Sequence, residues 1–360
     1  MVLLNSVLPF VGMLVGLIVI HELGHYITAK IFGVKVLEAG LGYPPRAAGF
    51  TWRGTVYSIN WLPLGGFVRL LGEEDPSDPQ SLAAQPAWKR LIVLASGSGM
   101  NFVLPIVLFA IAFMLPHQVP VGPAVINVVE HGSPAAQAGL QPGDRVISLD
   151  GETVKNTQDL SRLVRLKMGQ TITFKVQRQV FGGGSETIEK DVKARWDAPS
   201  GQGPTGIQVA NLYPQFHETE RYSLWAAIPK GWTSTMDALT LARNQVISLF
   251  HGGSGPDVAG PVGIAQATGD VVKEAGWQVL LDFAALLSIN LAIVNILPLP
   301  MLDGGRIAFV LLEVARRGKR IAPEKEALVH LIGLALIITF AVIVTYFDVI
   351  RLIDGRSLFE

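Results

Sequence analysis

The chain has 360 residues, of which 49% are hydrophobic and only 16% charged, with 29 basic residues, 29 acidic residues and no cysteine. A soluble domain carries about a quarter charged residues, so this composition points to a membrane protein. Net charge near zero gives no support for a nucleic-acid partner, and the absence of thiols excludes disulfides and cysteine chemistry.

Four apolar runs approach the roughly 20 residues needed to cross a bilayer. They cover about 8–29, 91–115, 279–299 and 328–347. The first resembles a signal peptide in position, but it has no basic lead and no small-residue cleavage site, so it is read as a retained span. It also carries His21-Glu22-Leu23-Gly24-His25. On a helix His21 and His25 share one face, which is the spacing of two zinc ligands, and Glu22 beside them is the natural general base. Ionisable groups are costly at membrane depth and imply a function there.

After this span, TVYSINWLPLGGFVRLL at 55–71 is rich in strand formers and is interrupted by Pro63, Gly65 and Gly66. It predicts a hairpin or a re-entrant element, and an exposed strand edge there could hold an extended peptide. Residues 119–210 predict a mostly soluble module. Its strands are PAVINVV and RVISLD, its short helix is SPAAQAGL, and a second helix at 157–166 is capped by Asn156 or Thr157. A hairpin turns through FGGGS. Residues 221–250 predict an amphipathic helix pair on the interface, or an imperfect fifth span. The glycine-rich HGGSGPDVAGPVGI predicts a loop entering another helix.

The third run ends in NILPLPMLDGG, residues 295–305. Pro298 and Pro300 break the helix, and Gly304 and Gly305 permit a sharp turn. An acid held there, Asp303, completes a His21–His25–Asp303 zinc site that leaves one position for water. Glu38 is the nearer acid in sequence but has no supporting context. Basic residues cluster at 30–90 and again at 306–325, two spans apart. The positive-inside rule places both loops in the cytoplasm and the two termini and the middle module outside. A membrane transporter and a noncatalytic scaffold are the rival readings; neither requires Glu22 between two zinc ligands.

GSPAAQAGLQPGDRVISLDG at 132–151 resembles a PDZ domain of bacterial membrane proteases. HELGH at 21–25 and NILPLPMLDGG at 295–305 resemble the two motifs of the site-2 protease family of intramembrane zinc metalloproteases, in its bacterial branch with a single PDZ domain. The implied fold is a polytopic α-helical membrane protein with about four transmembrane helices, a re-entrant β-hairpin and an inserted PDZ-like α/β domain. The implied divisions are a membrane region at 1–118, an extracytoplasmic PDZ-like domain at 119–210, an interfacial linker at 211–278 and a second membrane region at 279–360. The resemblance implies a Zn2+-dependent endopeptidase of transmembrane segments in a bacterial inner or plasma membrane, acting in regulated intramembrane proteolysis. Its implied partners are the lipid bilayer, transmembrane substrates such as anti-sigma factors or remnant signal peptides, and a peptide on the PDZ-like domain. Asn295 matches the residue that opens the second motif, and Asn101, in GSGMN at 97–101, matches a polar position of the second span; either amide could bind substrate backbone or stabilise the oxyanion. The family more often has a proline before Asn101, where this chain has Ser98 and Gly99.

Overall fold

A computed structural model describes residues 7–180, 183–199, 202–212, 216–252, 259–274 and 276–354. The chain divides into two compact units. One comprises residues 1–112, 228–235 and 258–360, and the other comprises 113–227 and 236–257.

The first unit begins with α1 (Leu8–Ile31), then β1 (Val36–Trp52) and β2 (Thr55–Leu70), then α2 (Ala87–Met114). The two strands pair antiparallel, with Trp52 opposite Thr55. The hairpin therefore turns at Arg53 and Gly54, not at the Pro63–Gly66 break that the sequence suggested. Both turn residues have positive φ, 47° and 77°, the conformation whose twist suits a two-residue hairpin. The strands also bend: residues 38–41 of β1 have partners at both 56–59 and 66–69 of β2. Glu38, buried in this sheet, pairs with Arg46 at 2.6 Å and Arg69 at 3.2 Å. Burial alone would raise its carboxyl pKa, but hydrogen bonding and the two guanidinium charges hold it below the ordinary value.

The second unit opens with β3 (His117–Pro120), β4 (Ala124–Val129), α3 (Pro134–Gln137), β5 (Arg145–Leu149), β6 (Glu152–Thr153) and α4 (Thr157–Leu166). It continues with β7 (Thr171–Val180), β8 (Gly184–Lys193), β9 (Ile207–Asn211) and β10 (His217–Glu220). The main sheet runs β8-β7-β5-β4-β9, with β6 attached to β5. Alternate apolar residues of its strands, including Ile126, Val146, Ile172, Phe174 and Val176, meet Leu160 and Leu163 of α4 in one buried core. Asn156 caps α4 by accepting from the Asp159 amide. Residues 181 and 182 of the expected β7–β8 turn lie outside the described residues.

Residues 221–250 are expected as a helix pair, but they form one helix, α5 (Leu224–Leu249). Its turn formers Pro229 and Gly231 both fall within the first two turns, too near the start to divide the segment into two helices. In the glycine-rich run, residues 253–258 lie outside the described residues, and Pro261 opens α6 (Pro261–Glu274). The first unit then closes with α7 (Gly276–Ile296), α8 (Asp303–Ala315) and α9 (Pro323–Ile353).

Among the described residues four helices are long and apolar enough to cross a membrane: α1, α2, the Val279–Ile296 part of α7, and α9. The expected spans fall within or close to these helices. The outer ends differ because α2 and α9 start in polar turns that hydropathy does not count.

Pro105 lies inside α2 and cannot donate to the carbonyl four residues earlier, that of Asn101. Ser288 of α7 fills the gap: its hydroxyl donates to the Asn101 carbonyl at 2.8 Å, and both side chains are fully buried. Ser288→Ala should leave that carbonyl unsatisfied and cost about 1–3 kcal/mol. Thermal unfolding of the purified protein measures this, and an unchanged midpoint would contradict it.

Candidate metal centre

The face that α1 turns inward is set by helical spacing. Leu17, His21, Gly24 and His25 are its buried residues together with Ala29, while Leu23, Ile27 and Ile31 are exposed. Positions 17, 21, 24 and 25 repeat every three or four residues and therefore stack along one stripe. That stripe lies against α2. Glycine is required at 97 for this approach, because a Cβ there would overlap His25 Nε2 and stand 2.7 Å from His21 Nε2.

The third element is the loop after α7. It runs from Leu297 to Leu302, and Asp303 is the first residue of α8. Glu313, in the last turns of α8, is tied to Arg90 of α2 at 2.6 Å and to Arg320 at 3.0 Å. Burial would raise the Glu313 pKa, but the two guanidinium groups hold it below the usual range. This ionic brace fixes α8, whose opposite end carries Asp303.

These elements bring three ligand atoms together. Asp303 Oδ2 is 3.1 Å from His21 Nε2 and 3.2 Å from His25 Nε2, and the two Nε2 atoms are 3.2 Å apart. Ligands at roughly 2.0–2.1 Å from a tetrahedral zinc ion stand about 3.3 Å from one another. The observed triangle is close to one face of that tetrahedron. The donor set fits as well. His25 Nδ1 lies 2.8 Å from the Val93 carbonyl, which has only lone pairs to offer. Nδ1 therefore carries the proton, which leaves Nε2, the nitrogen nearest Asp303, as the one available to a metal. Asp303 Oδ2 is buried without a hydrogen-bond partner, as expected of an oxygen that serves a cation.

His21 has its own support. Asn101 is fully buried, with its amide nitrogen 3.4 Å from His21 Nδ1 and its amide oxygen without a partner. When Nε2 of His21 holds a metal, Nδ1 bears the proton, and the matching acceptor is the Asn101 oxygen. Turning the amide by 180° supplies it and satisfies the orphaned atom. Among the described residues no hydrogen bond links Asn295 to this cluster; it sits half-buried in the last turn of α7. Glu38 is engaged with its two arginines and is not part of the cluster. Gly97 and the Val93 carbonyl went unrecognised in the sequence. A glycine within an apolar helix was the available signal for Gly97; nothing marks a backbone carbonyl.

Glu22 follows His21 on the half-buried flank of α1 and lines a cavity of about 670 Å³ between that helix and the hairpin. The rest of the wall is mainly apolar or glycine, including Leu23, Phe50, Gly66 and Phe67, with the Ser58 and Tyr57 hydroxyl-bearing side chains among it.

The family described as Peptidase family M50 matches residues 9–340. The chain belongs to peptidase family M50. Similar proteins extend the match over nearly its whole length. "Putative zinc metalloprotease Atu1380" of Agrobacterium fabrum is 31% identical and covers 98% of this chain and 97% of its own. "Zinc metalloprotease RasP" of Oceanobacillus iheyensis is 29% identical, covering 97% of this chain and all of its own. "Zinc metalloprotease RasP" of Geobacillus kaustophilus is also 29% identical, covering 96% and 98%. This M50 peptidase is a zinc-dependent intramembrane protease of bacterial kinship and a multi-pass membrane protein, with His21, His25 and Asp303 as a ready metal cluster. The transporter and scaffold alternatives fall away.

Proposed function

We propose that this M50 peptidase cuts transmembrane segments of other membrane proteins as a step of regulated intramembrane proteolysis. The observation that carries the reading is the triangle of His21, His25 and Asp303, with Glu22 beside it, on a helix of membrane-spanning length.

His21, His25 and Asp303 would hold a zinc ion, which would supply Lewis acidity to the scissile carbonyl and to the attacking water. Glu22 takes the proton from that water and passes it to the leaving amine. Asn101 keeps His21 in the metal-binding tautomer, and Asn295 is the amide available to the substrate backbone or to the developing oxyanion. A helical peptide bond is shielded by its own hydrogen bonds, so the substrate must unwind before it is cut. The cavity between α1 and the hairpin receives the unwound segment. Its mainly apolar wall suits the apolar side chains of a transmembrane segment, and β1 and β2 form the re-entrant element that stabilises the extended strand.

The sheet unit at 119–210 acts as an extracytoplasmic PDZ-like module. Two features support this: the resemblance of residues 132–151, and the position of β9 at the edge of its sheet, where an extended peptide can add as a further strand. The loop charges support a site that takes water from the cytoplasmic side, with both termini outside. Anti-sigma factors and remnant signal peptides are the substrate types to try first.

Wild-type protein reconstituted in liposomes should cleave a model transmembrane substrate and carry one zinc per chain. Asp303→Ala should lose zinc and activity together, and adding zinc in excess should restore little. Full zinc content in that variant would remove Asp303 from the ligand set.

A further inference from the structure

Helix α9 supplies no residue to the metal cluster, yet it holds the loop that leads into Asp303. Met301 lies two residues before Asp303 and has φ of +79°, in the left-handed region that disfavours residues with a β-carbon. Something must hold it there. Two residues of α9 face the turn. The Met301 backbone N–H donates to His330 Nδ1 at 2.8 Å. At Gly333, a β-carbon would overlap the Pro300 ring and stand 2.8 Å from its carbonyl oxygen. His330 and Gly333 are three residues apart and share one face of α9. Pro300 and Met301 are seated on that face, the first by close contact and the second by a hydrogen bond. Both α9 residues are buried, and Phe309 of α8 closes over the imidazole with ring centroids 5.5 Å apart.

We propose that His330 is a positioning residue for the metal site. As a neutral imidazole it accepts the Met301 N–H, locks the left-handed turn, and so aims the Asp303 carboxylate at His21 and His25. Gly333 provides the space in which the turn is seated. This role rests on the zinc site described above. It differs from simple helix packing because it needs an acceptor at the position of Nδ1, not merely a ring of that size.

Three substitutions separate the two roles. Asn places its amide oxygen close to where Nδ1 stands, Gln carries its polar atoms further out, and Leu has no acceptor. Purified full-length protein would be titrated against a competing chelator to measure zinc affinity, and the zinc-free forms would be melted in parallel. His330→Asn should bind zinc within about twofold of wild type. His330→Gln and His330→Leu should bind roughly 10–100-fold more weakly, the usual range for partners that orient a ligand. The zinc-free melting temperatures of the three should agree. Gly333→Ala should reproduce the loss by displacing Pro300, whereas Leu331→Ala, on the exposed side of α9, should not.

Wild-type affinity in the Gln and Leu variants would overturn the proposal. So would an Asn variant as weak as Leu, or zinc losses that merely follow losses in zinc-free stability. A wild-type protein that bound no zinc would overturn the metal site itself along with this role. A zinc-loaded wild type indifferent to all the substitutions would overturn the role of His330 alone.

Discussion

Glu22→Gln should abolish peptide cleavage while leaving zinc at one per chain. The amide has the shape of the carboxylate but cannot take a proton from water at neutral pH. Removing a positioned general base costs about 10²–10⁴-fold in rate, and more where the same group also serves the leaving amine. Glu22 is not among the three ligand atoms, which come from His21, His25 and Asp303, so the metal stays. Single-turnover cleavage of a transmembrane peptide, with metal analysis on the same sample, tests both halves. Wild-type rates in the variant would reject Glu22 as the base. Loss of zinc along with activity would show that it acts on the site's assembly instead.

Gly97→Ala should empty the metal site although it adds a single methyl group. The new carbon would overlap His25 Nε2 and stand 2.7 Å from His21 Nε2, where the two lone pairs converge. Either the imidazoles turn away or α2 withdraws from α1, and both outcomes break the ligand triangle. Zinc affinity should fall by at least about 100-fold, the upper end of what indirect perturbations of a metal site produce. Gly99→Ala is the matched control: it lies in the same helix, and a Cβ there meets nothing within 4 Å. Alanine is favoured over glycine within a helix by roughly 0.5–1 kcal/mol, so neither change weakens α2 intrinsically. Equal zinc affinity in the two variants would mean that the closeness of α2 to the ligands has no chemical consequence.

The chemistry of this chain was more legible than its architecture. His21 and His25 could be read because a separation of four on a helix is a geometric statement. Asp303 could be read because Pro298 and Pro300 end a helix at an acid. The hairpin turn was misplaced because Pro63, Gly65 and Gly66 are turn formers by propensity, yet here they lie within a bent strand. The real turn at Arg53 and Gly54 carries a weaker signal, since arginine is an unusual residue at positive φ. The α5 segment was expected as two helices because its apolar residues are scattered, and continuity of the backbone is not encoded in that pattern. His330 and Ser288 were invisible for a different reason. Each satisfies a backbone group far away in sequence, of Met301 and of Asn101, and no local spacing predicts such a pairing.

The ligand set is drawn from opposite ends of the polypeptide: two imidazoles arrive by residue 25, and the carboxylate only at residue 303 of 360. Until residue 303 is made, then, the chain carries only two of the three residues of the cluster. A chain cut short before residue 303 should therefore hold neither zinc nor cleavage activity, whatever the state of its first helix.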